Sequence, residues 1–249
     1  MRLCEVVHPP QRSTRETLAV TDVGPLHSGV SAHAAFPGRA ELPLDTVTWG
    51  PGVPGDDVLR LLGTPSGKRV LLLGIGLGHN AVALARAGAR VIAVDEDVER
   101  IDAARRLAET HETKIEVHQG DPADLAFIRA DTIDTAIAVF TLGRVDDLDR
   151  TLRQVNRVLR TSGGLVASFP HPISLAVEPE SFAGPRIIRR YGDQQPLPLG
   201  DLRIHSRSIA EIFAAFHRAN FRIDALLEPM GDTALLPGTL LVRGKKDGV

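Results

Sequence analysis

The sequence predicts an α/β fold built on a doubly wound, mostly parallel sheet. Short apolar runs alternate with helical segments along the chain, and the run Arg69–Leu73 leads directly into a turn that contains three glycines. A second apolar run, Val91–Val94, follows the next helical segment and stops at the acid Asp95. Strand, glycine turn, helix and strand in this order are typical of half of a doubly wound sheet.

The glycine turn is the first candidate binding feature. Gly74, Gly76 and Gly78 form the pattern GxGxG, and a helix begins at His79. Glycine lets the backbone approach a ligand closely, and the first turn of a helix offers free N–H groups. Asp95, at the tip of the second strand, can accept hydrogen bonds from both hydroxyls of a ribose. A nucleoside cofactor is therefore expected, and a turn that binds no ligand is the alternative.

Composition narrows the class of partner. The chain has 249 residues, a net charge of −2 with both signs mixed, and Cys4 as its only cysteine. The mixed charge favours a small molecule over nucleic acid or a membrane surface, and one cysteine excludes an intrachain disulfide or a cysteine metal cluster, so no metal site is expected. No apolar run has transmembrane length and no signal core is present, which predicts a cytoplasmic protein. A monomer or homodimer is expected.

The start of the chain is predicted to lie outside the main domain. Residues 1–45 carry prolines, glycines and polar residues without a sustained period, so we expect an irregular arm or cover ahead of a domain at 46–249. Trp49 stands beside a Gly-Pro-Gly turn, where it can anchor the core or line a substrate pocket. Residues 55–62 are predicted to form a helix with Val58 on its inner face.

The remaining elements follow from hydrophobic periodicity and complete a seven-stranded sheet. Amphipathic helices are predicted for residues 98–110, 147–160 and 208–220, the last with Phe213 facing inward. Further strands are predicted for residues 115–117, 135–139 and 165–169, and an antiparallel C-terminal hairpin for residues 221–226 and 239–242.

Two stretches resemble a known family. The GxGxG turn followed by Asp95 resembles the first motif of class I S-adenosylmethionine (SAM)-dependent methyltransferases. Residues 131–172, DTIDTAIAVFTLGRVDDLDRTLRQVNRVLRTSGGLVASFPHP, resemble the type 11, ubiquinone-methyltransferase-like branch. The segments near residues 205–246 resemble actinobacterial-type members. The resemblance covers about residues 47–246 and implies a Rossmann-like fold with SAM as its cofactor.

The resemblance also implies further cofactor contacts. In the family pattern, the acid at position 121 contacts the adenine amino group and the next backbone N–H contacts a ring nitrogen. Here Asp121 is present, but the next residue is Pro122, which has no N–H. Asp121 can equally cap a helix that begins at Pro122. Glu96, Val139 and Phe140 complete the expected cofactor contacts.

The chain departs from the family at Leu72. Most members have Asp or Glu two residues before the first motif glycine, near the methionyl ammonium of the cofactor. This chain lacks both that partner and an N–H at position 122. The alternative function is therefore a degenerate methyltransferase fold that acts as a binding or scaffolding module. A nicotinamide-dependent reductase is disfavoured because its glycine fingerprint needs a small residue where this chain has His79.

The predicted activity is methyl transfer to an oxygen or nitrogen atom of a small molecule. Such an acceptor needs its proton removed, and histidine has a suitable pKa. The candidate bases are His171, after the fifth strand, and His205, at the end of a segment at 171–205 that is interpreted as a lid over the acceptor. Tyr191 in that lid is an expected substrate contact. Arg207 is expected either to orient an anionic acceptor or to form a surface salt bridge.

Overall fold

The computed structural model describes residues 42–177, 185–199, 202–230 and 234–247. Most of the predicted arm at 1–45 and part of the predicted lid therefore lie outside the described residues. The helices are α1 (Asp56–Leu59), α2 (His79–Arg86), α3 (Val98–Thr110), α4 (Leu148–Val158) and α5 (Ile209–Arg218), with a 3-10 turn at Thr141–Gly143. The strands are β1 (Arg69–Leu73), β2 (Arg90–Asp95), β3 (Ile115–Gln119), β4 (Ile133–Val139), β5 (Leu159–Pro170), β6 (Leu197–Leu199), β7 (Leu202–Ile204), β8 (Phe221–Leu227) and β9 (Thr239–Lys246).

Seven of these strands form one sheet in the order β3-β2-β1-β4-β5-β9-β8. The strands from β3 to β5 pair in parallel, while β9 is antiparallel to both β5 and β8. The predicted fold class is confirmed, including the antiparallel C-terminal hairpin. The chain order reverses between β1 and β4, and in such sheets ligands bind beyond the carboxyl ends of the strands at that reversal.

Both faces of the sheet are buried, as expected for parallel strands that carry helices on each side. Leu71 and Leu73 of β1 pack on one face with α4 and α5. Leu72, between them, points to the other face and packs with α2, α3 and the segment that includes Trp49. This alternation follows from the two-residue period of a strand.

The first helix is shorter than predicted. Helix α1 covers four residues, Arg60 follows it with a left-handed φ of 53°, and Val58 is 64% exposed. The prediction that Val58 faces inward was therefore wrong. The Asp56 carboxylate accepts hydrogen bonds from the backbone N–H groups of Leu61 and Leu62, at 2.8 and 3.4 Å, and this turns the chain into the core.

The boundary between α4 and β5 also differs from the prediction. Helix α4 ends at Val158, and Leu159 already pairs with Ile133 of β4. The glycine pair at 163 and 164 predicts a helix that extends to residue 160. Pairing with a neighbouring strand overrides that local signal.

Helix α5 buries Ile212 and packs Ile209 on the core as predicted, but it does not bury Phe213. Ile212, Ala215 and Phe216 are buried, but Phe213 is 54% exposed. The prediction that Phe213 faces inward was wrong, since Phe216, three residues further along the helix, completes the apolar stripe.

The segment interpreted as a lid contains a small two-stranded sheet, β6 and β7, which pairs Leu197 with Ile204. His205, just after β7, donates its backbone N–H to the carbonyl of Gly143 at 2.8 Å. This bond ties the end of the segment to the turn after β4. Its role as a lid stays a prediction. Across the described ranges, no helix is both long enough and apolar enough to span a bilayer.

Candidate functional site

A cavity of about 440 Å³ lies at the carboxyl ends of the parallel strands. Gly74 after β1, Asp95 and Glu96 at the end of β2, and Asp121 and Pro122 after β3 all line it. Small-ligand pockets span roughly 300–1,000 Å³, so the cavity has the size of a cofactor site. The structure thus brings five of the sequence-predicted cofactor residues together.

Gly74 follows β1 and packs against the turn after β4. Its φ is +76°, and its N–H donates to the carbonyl of Val94 at 2.8 Å. A Cβ here would lie 2.1 Å from Oγ1 of Thr141, whose hydroxyl donates to the carbonyl of Leu73 at 2.7 Å. Position 74 therefore needs glycine because Thr141 occupies the adjoining space. Thr141 also lines the cavity, and sequence analysis missed it.

Gly78 allows close helix packing, and its predicted role in cofactor binding stays a prediction. Its φ is +93°, and a Cβ would lie 2.7 Å from Cα of Ala104 in α3. The absence of a side chain lets α2 and α3 approach each other closely. Gly76, with φ of +56°, lies at a second cavity described below.

Asp95 is the best-fixed polar group of the site. It is 5% exposed, and its Oδ2 accepts the N–H of Ile75 in the glycine turn at 2.8 Å. Oδ1 accepts the N–H of Asp97, the N-cap of α3, at 3.0 Å. A carboxylate oxygen can accept two hydrogen bonds, so each oxygen keeps capacity for a ligand hydroxyl.

Glu96 and Asp121 make the same end of the cavity acidic. Burial, followed by the charges of Asp121 and Asp95, raises the pKa of Glu96. Oδ1 of Asp121 accepts the N–H of Ala123 at 2.7 Å in a turn, and no helix begins at Pro122 in this described stretch. The structure thus excludes the alternative in which Asp121 caps a helix. Three carboxylates together suit a ligand that donates hydrogen bonds.

A second, much smaller cavity of about 20 Å³ lies beside the glycine turn. Leu72, Gly76, Asn80 and Val139 are among the residues that line it. It has room for little more than one water molecule. Phe140, also an expected cofactor contact, has a left-handed φ of 58° and places its ring against Gly50, where a Cβ would lie 2.8 Å from the ring. Phe140 and Val139 both pack in the core, but only Val139 of the two lines the small cavity.

Arg144 lines both cavities and was not identified from the sequence. It follows the 3-10 turn after β4, and burial is the main cause that lowers the pKa of its guanidinium. A basic residue in a loop that leaves the carboxyl end of a central strand is the signal that could have indicated it.

His171 is buried and engaged on both sides of its ring. Nδ1 accepts the N–H of Ile173 at 3.1 Å, which leaves the Nε2 proton of the neutral ring to be donated to Oε1 of Glu228 at 2.8 Å. Burial lowers the pKa of His171, and the hydrogen bond to Glu228 partly opposes that shift. The residue does not line the 440 Å³ cavity.

His205 and Arg207 both contact the loop after β4. Nε2 of His205 lies 3.0 Å from Oδ1 of Asp146, a residue of the cavity wall. Arg207 donates to the carbonyls of Leu142, Val145 and Asp146 at 3.1, 2.5 and 3.1 Å. The guanidinium of Arg207 therefore holds the loop, which differs from the expected role in orienting an acceptor.

The other two expected substrate contacts have structural roles. Trp49 has no exposed surface and packs in the core on the Leu72 face of the sheet. The hydroxyl of Tyr191 accepts the N–H of Ile209 at 3.0 Å, at the start of α5. Neither side chain lines the 440 Å³ cavity.

The chain is similar in sequence to known methyltransferases and to another SAM-dependent enzyme. Residues 70–163 match a family described as a methyltransferase domain. The chain is 38% identical over 117 residues to a demethylmenaquinone methyltransferase of Thermobifida fusca, covering 46% of this chain and 48% of that protein. It is 32% identical over 127 residues to the S-adenosyl-L-methionine-dependent Diels-Alderase iccD of Talaromyces variabilis, covering 47% of this chain and 43% of that protein.

Solved structures share the architecture. A crystal structure of an S-adenosylmethionine-dependent methyltransferase from Mesorhizobium loti superposes with a TM-score of 0.66 at 23% identity. The alignment covers 76% of this chain and 95% of that one, and it establishes the fold. The chain spans less than half the length of the two curated relatives above.

Proposed function

We propose that this chain, which carries a methyltransferase domain with S-adenosylmethionine as its cofactor, transfers a methyl group to an oxygen or nitrogen atom of a small molecule. The observation that supports this most is the meeting of Gly74, Asp95, Glu96 and Asp121 at one cavity of about 440 Å³. The demethylmenaquinone methyltransferase relative further supports the type 11, actinobacterial-type branch expected from the sequence.

The residues at the cavity fit the adenosine part of SAM. Asp95 would accept hydrogen bonds from the ribose hydroxyls, and Asp121 would accept one from the adenine amino group. Bound there, SAM supplies a methyl group on a positively charged sulfur. The three carboxylates at this end also offset that positive charge. Pro122 offers no N–H, so the adenine would be recognised through Asp121 alone on that side.

On the acceptor side, we assign the role of general base to His205 ahead of His171. Burial and the neighbouring charge of Arg207 lower the pKa of His205, which keeps the ring neutral and able to accept a proton near pH 7. His205 does not itself line the 440 Å³ cavity, but its ring bonds Asp146, which does, whereas among the described residues His171 has no such link to the cavity wall. A base at this place suits a hydroxyl or amine acceptor.

The first test is cofactor binding. Calorimetric titration with SAM and with S-adenosylhomocysteine should show binding of both. In Asp95→Asn, an amide N–H₂ replaces one of the two oxygens that accept backbone N–H groups. The affinity for SAM should therefore fall roughly tenfold or more. Asp102→Asn, an exposed acid in α3, is the matched control and should leave the affinity unchanged. No binding to the unaltered protein at millimolar ligand rejects the proposal.

The second test is turnover. Release of S-adenosylhomocysteine is measured against a panel of small hydroxyl, phenol and amine acceptors. His205→Asn should lower kcat and remove the acidic limb of the pH profile. A small molecule with only carbon nucleophiles as the sole accepted substrate contradicts the proposed acceptor atom.

A binding module that holds SAM without transferring its methyl group is the second candidate. Leu72 is 1% exposed and lines a cavity of only about 20 Å³. The family motif has an acid at this position. The iccD relative is named for a cycloaddition and not for methyl transfer. Tight SAM binding with no methylated product from any acceptor class favours this candidate.

A further inference from the structure

The guanidinium of Arg144 is a charged group at the cavity without a protein partner. Among the described residues, it makes no hydrogen bond and no ion pair within 4.0 Å. Arg100 lines the same cavity but is already paired, since its Nε lies 3.1 Å from Oδ2 of Asp97. Arg150 and Arg203 also line the large cavity, but both are exposed to solvent. Arg144 is the arginine of this cavity that is half-buried, lines the small cavity as well and keeps its donors available.

The available guanidinium of Arg144 is suited to bind an anion. Arginine stays protonated in proteins and presents five N–H donors in a planar fork that matches a carboxylate. Burial removes part of its hydration, and a charge that loses water without gaining a partner is destabilising. Asp95 and Glu96 act on Arg144 only through their charges, with no direct contact.

The position of Arg144 selects the anion. It lines the wall shared by the large cavity and by the small one beside Gly76 and Leu72. If the proposed function holds, Asp95 and Asp121 take the adenosine, and the rest of SAM extends towards the glycine turn. The methionyl carboxylate is the one anionic group of SAM.

We propose that Arg144 binds the methionyl carboxylate of SAM. This inference rests on the proposed function and explains how the chain recognises the amino-acid end of the cofactor without an acid at Leu72. Recognition shifts from the ammonium to the carboxylate. The loop that carries Arg144 is fixed by the three bonds from Arg207.

The test compares three ligands in calorimetric titrations: SAM, decarboxylated SAM and 5′-methylthioadenosine. Decarboxylated SAM keeps the sulfonium and the amine but lacks the carboxylate. The unaltered protein should prefer SAM to decarboxylated SAM by roughly 10- to 100-fold. Arg144→Gln should lose that preference while it binds the other two ligands as the unaltered protein does. Arg144→Lys, which keeps the charge but not the fork, should retain part of the preference.

Arg100→Gln is the matched control, because Arg100 lines the same cavity but is paired with Asp97; it should keep the preference for SAM. Equal loss of affinity for all three ligands in Arg144→Gln overturns the inference, since it indicates a structural role. Unchanged SAM affinity with a raised KM for the acceptor overturns it as well, in favour of an anionic acceptor. If the unaltered protein binds none of the three, the proposed function itself fails.

Discussion

At the scale of single residues, His171 links the end of β5 to Glu228 through a buried hydrogen bond. Burial lowers its pKa below the ordinary value of 6.5, so the unfolded chain binds a proton more readily than the folded one. Stability from the neutral ring is fully present above the unfolded pKa and is lost as the pH falls through the folded pKa.

We therefore expect the free energy of unfolding to fall as the pH drops below the ordinary histidine pKa of 6.5. His171→Asn keeps an acceptor for the N–H of Ile173 but does not titrate, so its stability should fall less over the same range. Urea denaturation at several pH values measures both curves. His217→Asn, at an exposed position, should follow the unaltered protein. Parallel curves for His171→Asn and the unaltered protein would contradict the lowered pKa.

The sequence predicted residue positions well where a local pattern fixes the geometry. Gly74 and Asp95 follow directly from the ends of two adjacent parallel strands, which must meet at one edge of the sheet. Thr141 and Arg144 could not be predicted in the same way, because the path of the loop after β4 depends on bonds from Arg207, 60 or more residues further along the chain.

At the scale of elements, Gly78 allows α2 to contact α3. Gly78→Ala should destabilise the protein through a left-handed φ and through a clash with Ala104. Gly67→Ala is a matched control, since Gly67 has a φ of +76° but no atom within 4 Å of the added Cβ. The left-handed backbone should lower the free energy of unfolding by about 1–2 kcal/mol in both variants. Overpacking should lower it by about 1–3 kcal/mol more in Gly78→Ala. Urea denaturation gives the difference. Equal losses would mean that the helix contact adapts to the methyl group.

The Arg207 side chain sets the conformation of the loop between β4 and α4. Arg207→Met removes the donors to three carbonyls, and we expect a loss of about 1–3 kcal/mol in the free energy of unfolding. Trypsin should also cleave after Arg144 faster, because the loop is no longer held. Arg222→Met is the control: within the described part of the chain this exposed arginine pairs only with Asp247, so the loss should stay within about 0.5 kcal/mol. Unchanged cleavage in Arg207→Met would argue against this role.

Element types were predictable where a segment has one dominant period. The β-branched strands and helix α3 fall where the pattern places them. Boundaries were less predictable, because they depend on long-range pairing. Leu159 is in a strand because Ile133 pairs with it, and the residues near Leu159 in the sequence do not indicate that pairing.

At the scale of the whole molecule, protection should follow burial in the sheet. Strands β1, β4 and β5 lie in the middle and are covered on both faces. Among the residues that the structure describes, β6 and β7 pair only with each other, over three residues. In hydrogen exchange, the amides of the central strands should exchange last and those of β6 and β7 first. Protection of β6 and β7 equal to that of β4 would show that the outer segment is part of the cooperative core.

The overall topology was largely predictable because right-handed parallel connections leave few arrangements for alternating strands and helices. The number of strands in the main sheet and the antiparallel hairpin both agree with the structure. The two short strands β6 and β7 were not predicted, since three residues in a proline-rich stretch carry too little periodicity.

The position of β9 has a consequence for biosynthesis. This strand lies between β5 and β8, yet it comes after both along the chain. A nascent polypeptide that has emerged only as far as β8 therefore has an open edge on β5, and β8 has no neighbour to join. Open edges with unpaired N–H and C=O groups promote association between chains. A chain truncated before Thr239 should consequently aggregate, because the addition of β9 completes the sheet.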